Sequence, residues 1–292
     1  MSRNKDRLGG PHSVNTGAPP SATPSTSAPA QQPFSFVVPT TFVDLPSKGR
    51  YYPPDHPLHM QDTIEIKHMT AKEEDILTSR ALIKKGVALD RVIQNLILND
   101  SINSDRLLVG DRNAIVIAAR IAAYGADYET KVNCPSCGAS QNYCFDLIAA
   151  ESTDSEISDD MNVTDNQNGT FDVVLPVTQL TVTFRLLTGI DEKGIINNFS
   201  QNKKKAAANK GLENNITTHL NSIIVAISGD SSPNAKKYLI DNLPSMDSRH
   251  LRFAHQMATP NVELSETFTC SECDFEQEME VPLTADFFWP KR

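Results

Sequence analysis

The sequence predicts an α+β fold built from two pseudo-repeated halves, each running from strand to helices to cysteine knuckle, with the knuckles meeting in one shared four-cysteine site. Three observations predict it. Cys134-Pro-Ser-Cys137 and Cys270-Ser-Glu-Cys273 are two Cys-x-x-Cys turns more than a hundred residues apart, each flanked by short strand-like runs. Thr63–Lys67 alternates apolar and polar residues as a half-buried strand does, and Thr70 with Glu73 three positions on is a capping box that starts a helix at once. The stretch Thr63–Glu74 then lies against Thr181–Glu192 without a gap. Ile64 falls on Val182, Ile66 on Phe184, Lys67 on Arg185, Thr70 on Thr188 and Glu73 on Asp191.

The elements follow in order. Residues 1–33 are Gly, Pro, Ser, Thr and Ala over most of their length, too poor in bulky side chains to offset the entropy of ordering, and read as a disordered N-terminal arm. Residues 34–60 hold many prolines and a glycine turn, and read as an extended strap. The first half, 61–148, continues from its capped helix through the helical patterns of Leu89–Asp100 and Ser104–Gly125. In the latter Ile115, Ala118, Ala119 and Ala122 supply a close-packed face, and Gly125 is the stop. It ends in a hairpin, Tyr128–Leu147, that carries the first knuckle. Residues 149–168 are rich in Asp, Glu, Ser and Asn and read as an acidic flexible linker. The second half, 169–292, opens on two strands, Thr170–Pro176 and Gln179–Leu187. Helical sequence follows, then the second knuckle and an aromatic tail.

Zinc takes four soft ligands in a tetrahedron, and one Cys-x-x-Cys turn supplies two of them on one side. Cys134, Cys137, Cys270 and Cys273 therefore form a candidate four-cysteine site of zinc-ribbon type, with one structural Zn2+ per chain fastening one half to the other. A redox pair is the weaker alternative, because neither turn precedes a convincing helix; unpaired thiols are the other. A catalytic zinc keeps an open position, which four thiolates would fill. Cys144, the fifth cysteine, is expected as a small buried hydrophobe.

A net charge of -9 argues against a protein whose task is coating nucleic acid. No stretch reaches the roughly 20 apolar residues of a membrane span, and the polar beginning lacks a signal peptide's apolar run, so a cytoplasmic product is expected. His-Glu-x-x-His, phosphate-loop, nucleophile-elbow and EF-hand patterns do not occur. The histidines are scattered; His250 and His255 are read as surface or packing residues. The basic run Asn202–Gly211 reads as a solvated helix face. Phe287, Phe288 and Trp289 in the tail, with Tyr51 and Tyr52 in the strap, are candidate partner-binding anchors, with packing onto the chain's own core as the competing reading.

The strap FVDLPSKGRYYP, the strand leading into MTAKEEDIL, and GDRNAIVIAARIAAYGADYETKVNCPSCG resemble the baseplate hub subunit family of contractile-tailed, T-even-type bacteriophages. The resemblance covers Phe34–Leu147 well and the second half loosely. It implies a non-enzymatic virion or assembly protein, made in the host cytoplasm and built into the tail baseplate by binding other baseplate or tail proteins, with homo-oligomerisation there compatible. The rival from another class is a cellular zinc-ribbon adaptor or regulator.

Overall fold

The computed structural model describes residues 36–155, 157, 161–209, 215–281 and 285–288. Contacts divide the chain between Val37 and Val38; of the first unit only Phe36 and Val37 are described, so the expected arm lies outside the described residues. The second unit begins with β1 (Thr40–Asp44), paired antiparallel with β2 (Thr63–Lys67) so that Val43 faces Ile64 and Thr41 faces Ile66. Next come α1 (Ala71–Thr78), α2 (Arg80–Lys85), α3 (Ala88–Leu96), α4 (Val109–Tyr124) and a hairpin of β3 (Asp127–Asn133) and β4 (Ser140–Asp146). On α4 Ala114, Ile115, Val116, Ile117 and Ala119 are all buried. A helix apolar around so much of its circumference belongs at the centre of a core.

Two short strands follow, β5 (Glu151–Thr153) and β6 (Val163–Asp165), then β7 (Thr170–Val174) and β8 (Thr181–Arg185). The chain continues through α5 (Gly189–Asn209), α6 (Asn215–Ile223), β9 (Ile224–Ile227), α7 (Pro233–Asn242) and α8 (Ser245–Ala258). It closes with β10 (Asn261–Glu263) and the hairpin of β11 (Ser265–Thr269) and β12 (Glu276–Glu280). Strands β6-β7-β8-β9 form one antiparallel sheet. Its inner face presents Phe171, Val173, Val182 and Phe184, none with any exposure, as period-two alternation requires.

The two strand-to-helix junctions have the same local geometry. Thr70 donates from its backbone N and its Oγ1 to Glu73 Oε2 at 2.9 and 2.6 Å. Thr188 does the same to Asp191 Oδ2 at 3.0 and 2.7 Å. A cation on the preceding strand faces each carboxylate, Lys67 at 4.0 Å and Arg185 at 2.6 Å. Past α3, Ile97 bridges to Ile66; past α6, Ile224 pairs with Phe184.

Several contacts tie segments far apart in the chain. Strand β5 pairs with β10, and Val109 N and Leu107 O bond Leu187 O and Gly189 N at 3.1 and 3.0 Å. Helix α4 lies so close to the β10 segment that a Cβ at Gly110 would stand 2.0 Å from Pro260 O; glycine alone permits that approach.

One expectation needs correction. The segment 149–168 is not simply a linker: β5 and β6 lie in it, paired with β10 and β7, and Met161 is buried. Its acidic side chains are tolerated because β5 and β6 are short edge strands whose residues are all exposed or half-buried. The strap is anchored deeply. Buried Asp111 of α4 accepts from Ser47 N at 3.1 Å, Ser47 Oγ at 2.6 Å and Tyr52 OH at 2.7 Å. Burial raises the Asp111 carboxyl above its ordinary value, against the hydrogen bonds from Ser47 and Tyr52.

Candidate metal centre

Each knuckle is the tip of a two-stranded hairpin, and the two tips are built alike. The last pair of the β3–β4 ladder is Asn133 with Ser140. Between them Cys134 N donates to Ala139 O at 2.8 Å and Gly138 N to Cys134 O at 2.9 Å. The last pair of β11–β12 is Thr269 with Glu276. There Cys270 N donates to Phe275 O at 2.9 Å and Asp274 N to Cys270 O at 3.0 Å. The residue after the second cysteine is left-handed in both, Gly138 at φ 74° and Asp274 at φ 52°. Glycine adopts that region freely, and Asp is among the few other residues that do so.

Side chains of β4 clasp the backbone of the other hairpin. Tyr143 OH donates to Thr267 O at 2.8 Å and Gln141 Nε2 to Thr269 O at 3.0 Å, while Ser271 N donates back to Gln141 Oε1 at 2.9 Å. The Tyr143 ring packs on Phe145 and Phe268, centroids 4.8 and 5.5 Å away. Alternation along β4 puts Gln141, Tyr143 and Phe145 on this face.

The clasp brings four sulphurs together, all within 4.8 Å of one another. Cys134 Sγ lies 3.7 Å from Cys273 Sγ, and Cys137 Sγ lies 3.7 Å from Cys270 Sγ. A tetrahedron with metal–sulphur bonds of about 2.3 Å has edges of about 3.8 Å, whereas a disulfide needs about 2.05 Å. The spacing therefore fits four ligands around one ion. Cys134 and Cys270 are buried; Cys137 and Cys273 are exposed. Backbone hydrogen bonding at Cys137, then at Ser136, lowers the Cys134 thiol to about 7 against burial. Cys273 goes the other way, up to about 12: a backbone bond at Phe275 favours its thiolate, but burial and the neighbouring sulphurs outweigh it. Four thiolates so close repel one another unless a cation sits among them.

All four predicted ligands are thus brought into one cluster that could hold a metal ion. The aromatic anchors are placed differently. Tyr51, Tyr52, Phe287 and Phe288 are all buried in the core, correcting their reading as exposed partner anchors. Tyr52 OH is spent on Asp111, and Phe287 meets Tyr128 edge-on at 5.1 Å. Trp289 lies outside the described residues, as do the side chains of the basic run from Asn202. Cys144 is exposed, because the alternation that turns Tyr143 inward turns it out. Sequence reasoning missed Gln141 and Tyr143, although their period-two spacing before Phe145 was a visible signal. Among the described residues no helix is long and apolar enough to cross a membrane.

A family model described as T4 bacteriophage base plate protein matches residues 38–289. No curated protein matches the chain, and no solved structure does.

Proposed function

We propose, on the premise that the chain belongs to the T4 bacteriophage base plate protein family, that it is a structural or assembly component of the tail baseplate hub. In this reading it is made in the host cytoplasm, acts by binding other baseplate proteins and catalyses nothing. The match over residues 38–289 is the observation that carries the reading, and it favours a tail protein over a cellular zinc-ribbon adaptor.

Cys134, Cys137, Cys270 and Cys273 would hold one structural zinc ion per chain. When bound, the ion supplies four metal–thiolate bonds and hence a cross-link between residues as far apart as 139 positions. The chain's own part is to present the sulphurs: two knuckles shape them, and Gln141 and Tyr143 set one hairpin against the other. The same reading takes 61–148 and 169–292 as two pseudo-equivalent halves. The paired Thr70–Glu73 and Thr188–Asp191 junctions and the two matching knuckles support it. If other family members, aligned half on half, lack these paired positions, the duplication fails.

Quantitative mass spectrometry of purified tails and of baseplate assembly intermediates tests the main proposal. The chain should be found in one of them at fixed stoichiometry; absence from both would sink it.

A further inference from the structure

Among the described residues, strand β1 is paired along one edge and open along the other. Leu45 N donates to Asp62 O at 2.8 Å and His68 N to Pro39 O at 2.9 Å, just beyond the two ends of the β1–β2 ladder. Residues that bond across an antiparallel pair alternate with residues that do not, so Thr41 and Val43 are the ones that bond β2. The N–H and C=O groups of Thr40, Phe42 and Asp44 point the other way and meet no hydrogen-bond partner among the described residues. Strand β2 keeps the same alternation on its far side, where Glu65 O accepts from Leu98 N at 3.4 Å.

A free edge is a template for another strand, and proteins blunt such edges with lysine, proline, a bulge or a further strand. Strand β7 stands beside β8 as β1 stands beside β2, and β6 closes its outer edge. No described strand does this for β1, and the β1–β2 register runs without a bulge. Residues Thr40 to Leu45 include no Lys, Arg or Pro; Pro39 and Pro46 close the window at its two ends. Thr40, Phe42 and Asp44 share one face and are exposed, Phe42 to 68%.

The side chains on that face say which strand fits. Laid antiparallel on another β1 with Phe42 opposite Phe42, the strand sets Thr40 opposite Asp44 at both ends. Both kinds of pair already occur in the β7–β8 ladder. There Phe171 stacks on its partner Phe184, centroids 5.4 Å apart, and Thr183 Oγ1 donates to Asp172 Oδ1 at 2.6 Å. Cross-strand pairs of these types stabilise, whereas like charges set opposite destabilise. Sliding one strand by two residues either way shortens the ladder and sets Phe42 against Thr40 or Asp44.

We propose that the free edge of β1 is a docking surface for a second copy of this chain. The two β1 strands pair antiparallel about a two-fold axis at Phe42, so that the two-stranded sheets of both copies become one sheet. Thr40, Phe42 and Asp44 of each copy then bond through both their N–H and their C=O groups.

Sedimentation and amide exchange of the whole chain, dilute and concentrated, test this. The chain should be monomeric at about 10 µM and mostly dimeric at about 1 mM, with a Kd on the order of 0.1 mM. The amides of Thr40, Phe42 and Asp44 should exchange at least about threefold more slowly in the concentrated sample, while those of Thr41 and Val43 are slow in both. Thr40→Asp places carboxylates opposite each other in the dimer but beside Lys67 within its own sheet. It should leave the monomer folded and weaken the dimer at least about fivefold, and adding Asp44→Lys should restore the Kd to within about twofold. A chain that stays monomeric at about 1 mM overturns the proposal. So does a dimer in which the three amides do not slow, or one that Thr40→Asp leaves as tight, because it forms through another surface. Slow exchange of the three amides in the dilute monomer overturns it as well, since the edge would then be covered within one chain. The presence or absence of the chain in tails decides none of these outcomes.

Discussion

Arg120→Met should be among the costliest single changes in α4. The side chain is 1% exposed and spends its fork on three carbonyls: Phe287 O at 2.9 Å, Gly125 O at 2.8 Å and Asp127 O at 3.1 Å. These belong to the C-terminal 3-10 turn, the end of α4 and the start of the first knuckle hairpin, so one residue ties three segments together. Its guanidinium also lies 5.3 Å from the Tyr124 ring. Methionine fills much of the volume and donates nothing. A buried carbonyl left without a donor costs about 1–3 kcal/mol, which for three would reach about 3–9 kcal/mol. Two effects reduce that sum. Gly125 and Asp127 are exposed residues, where an unpaired carbonyl costs less than in the core, and removing a buried cation recovers its desolvation penalty. A net loss of about 2–4 kcal/mol remains, carried mainly by Phe287 O. Arg120→Lys keeps the charge but loses the planar fork and should cost about half as much. Urea unfolding of both variants and the parent, at equal metal content, measures this, with equal m-values confirming a common denatured state. If Arg120→Met unfolds within about 0.5 kcal/mol of the parent, or the two variants are equally stable, the three-segment tie is wrong.

Metal analysis of chain prepared under reducing conditions should find one zinc, and Cys270→Ser should lower the content to near zero; a full equivalent retained by the variant would refute the four-thiolate site. Gly110→Ala should destabilise by more than about 2 kcal/mol because the new methyl meets Pro260 O. Gly194→Ala, on α5 with nothing within 4 Å, should stabilise by about 0.5–1 kcal/mol; thermal melts that rank the pair otherwise contradict the packing. Although burial opposes the Asp191 charge, Arg185 and Thr188 hold its carboxyl below the ordinary 3.8. A depressed folded-state value stabilises above the unfolded one and is lost as pH falls through it. Asp191→Asn should therefore cost about 1–2 kcal/mol at neutral pH, and the gap to the parent should close as the solution is acidified below 3.8. A gap that does not change with pH would show that the ion pair is not its source.

Much was legible in sequence because it is local. The alternation of Thr63–Lys67, the Thr70–Glu73 box and the Cys-x-x-Cys turns each need only a few neighbouring residues, and the hydrogen bonds formed there are those the residue types dictate. The acidic segment was misread because composition reports the average polarity of a stretch and not which strand it pairs with, β10 for β5 and β7 for β6. Tyr51, Tyr52, Phe287 and Phe288 were ambiguous because an aromatic cluster suits a core and an interface equally well, and only the neighbours decide which.

The sequence by itself singled out the four candidate ligands, since two Cys-x-x-Cys turns have few chemical uses, and it determined the two strand-to-helix starts, whose capping is written within four residues. Only the tertiary structure decided that the distant sulphurs meet 3.7 Å apart, that Gly110 is a contact point, and that His255 is buried beside the ring of His219. Each of these depends on how elements far apart in the chain pack against one another, and periodicity and spacing carry no information about that packing.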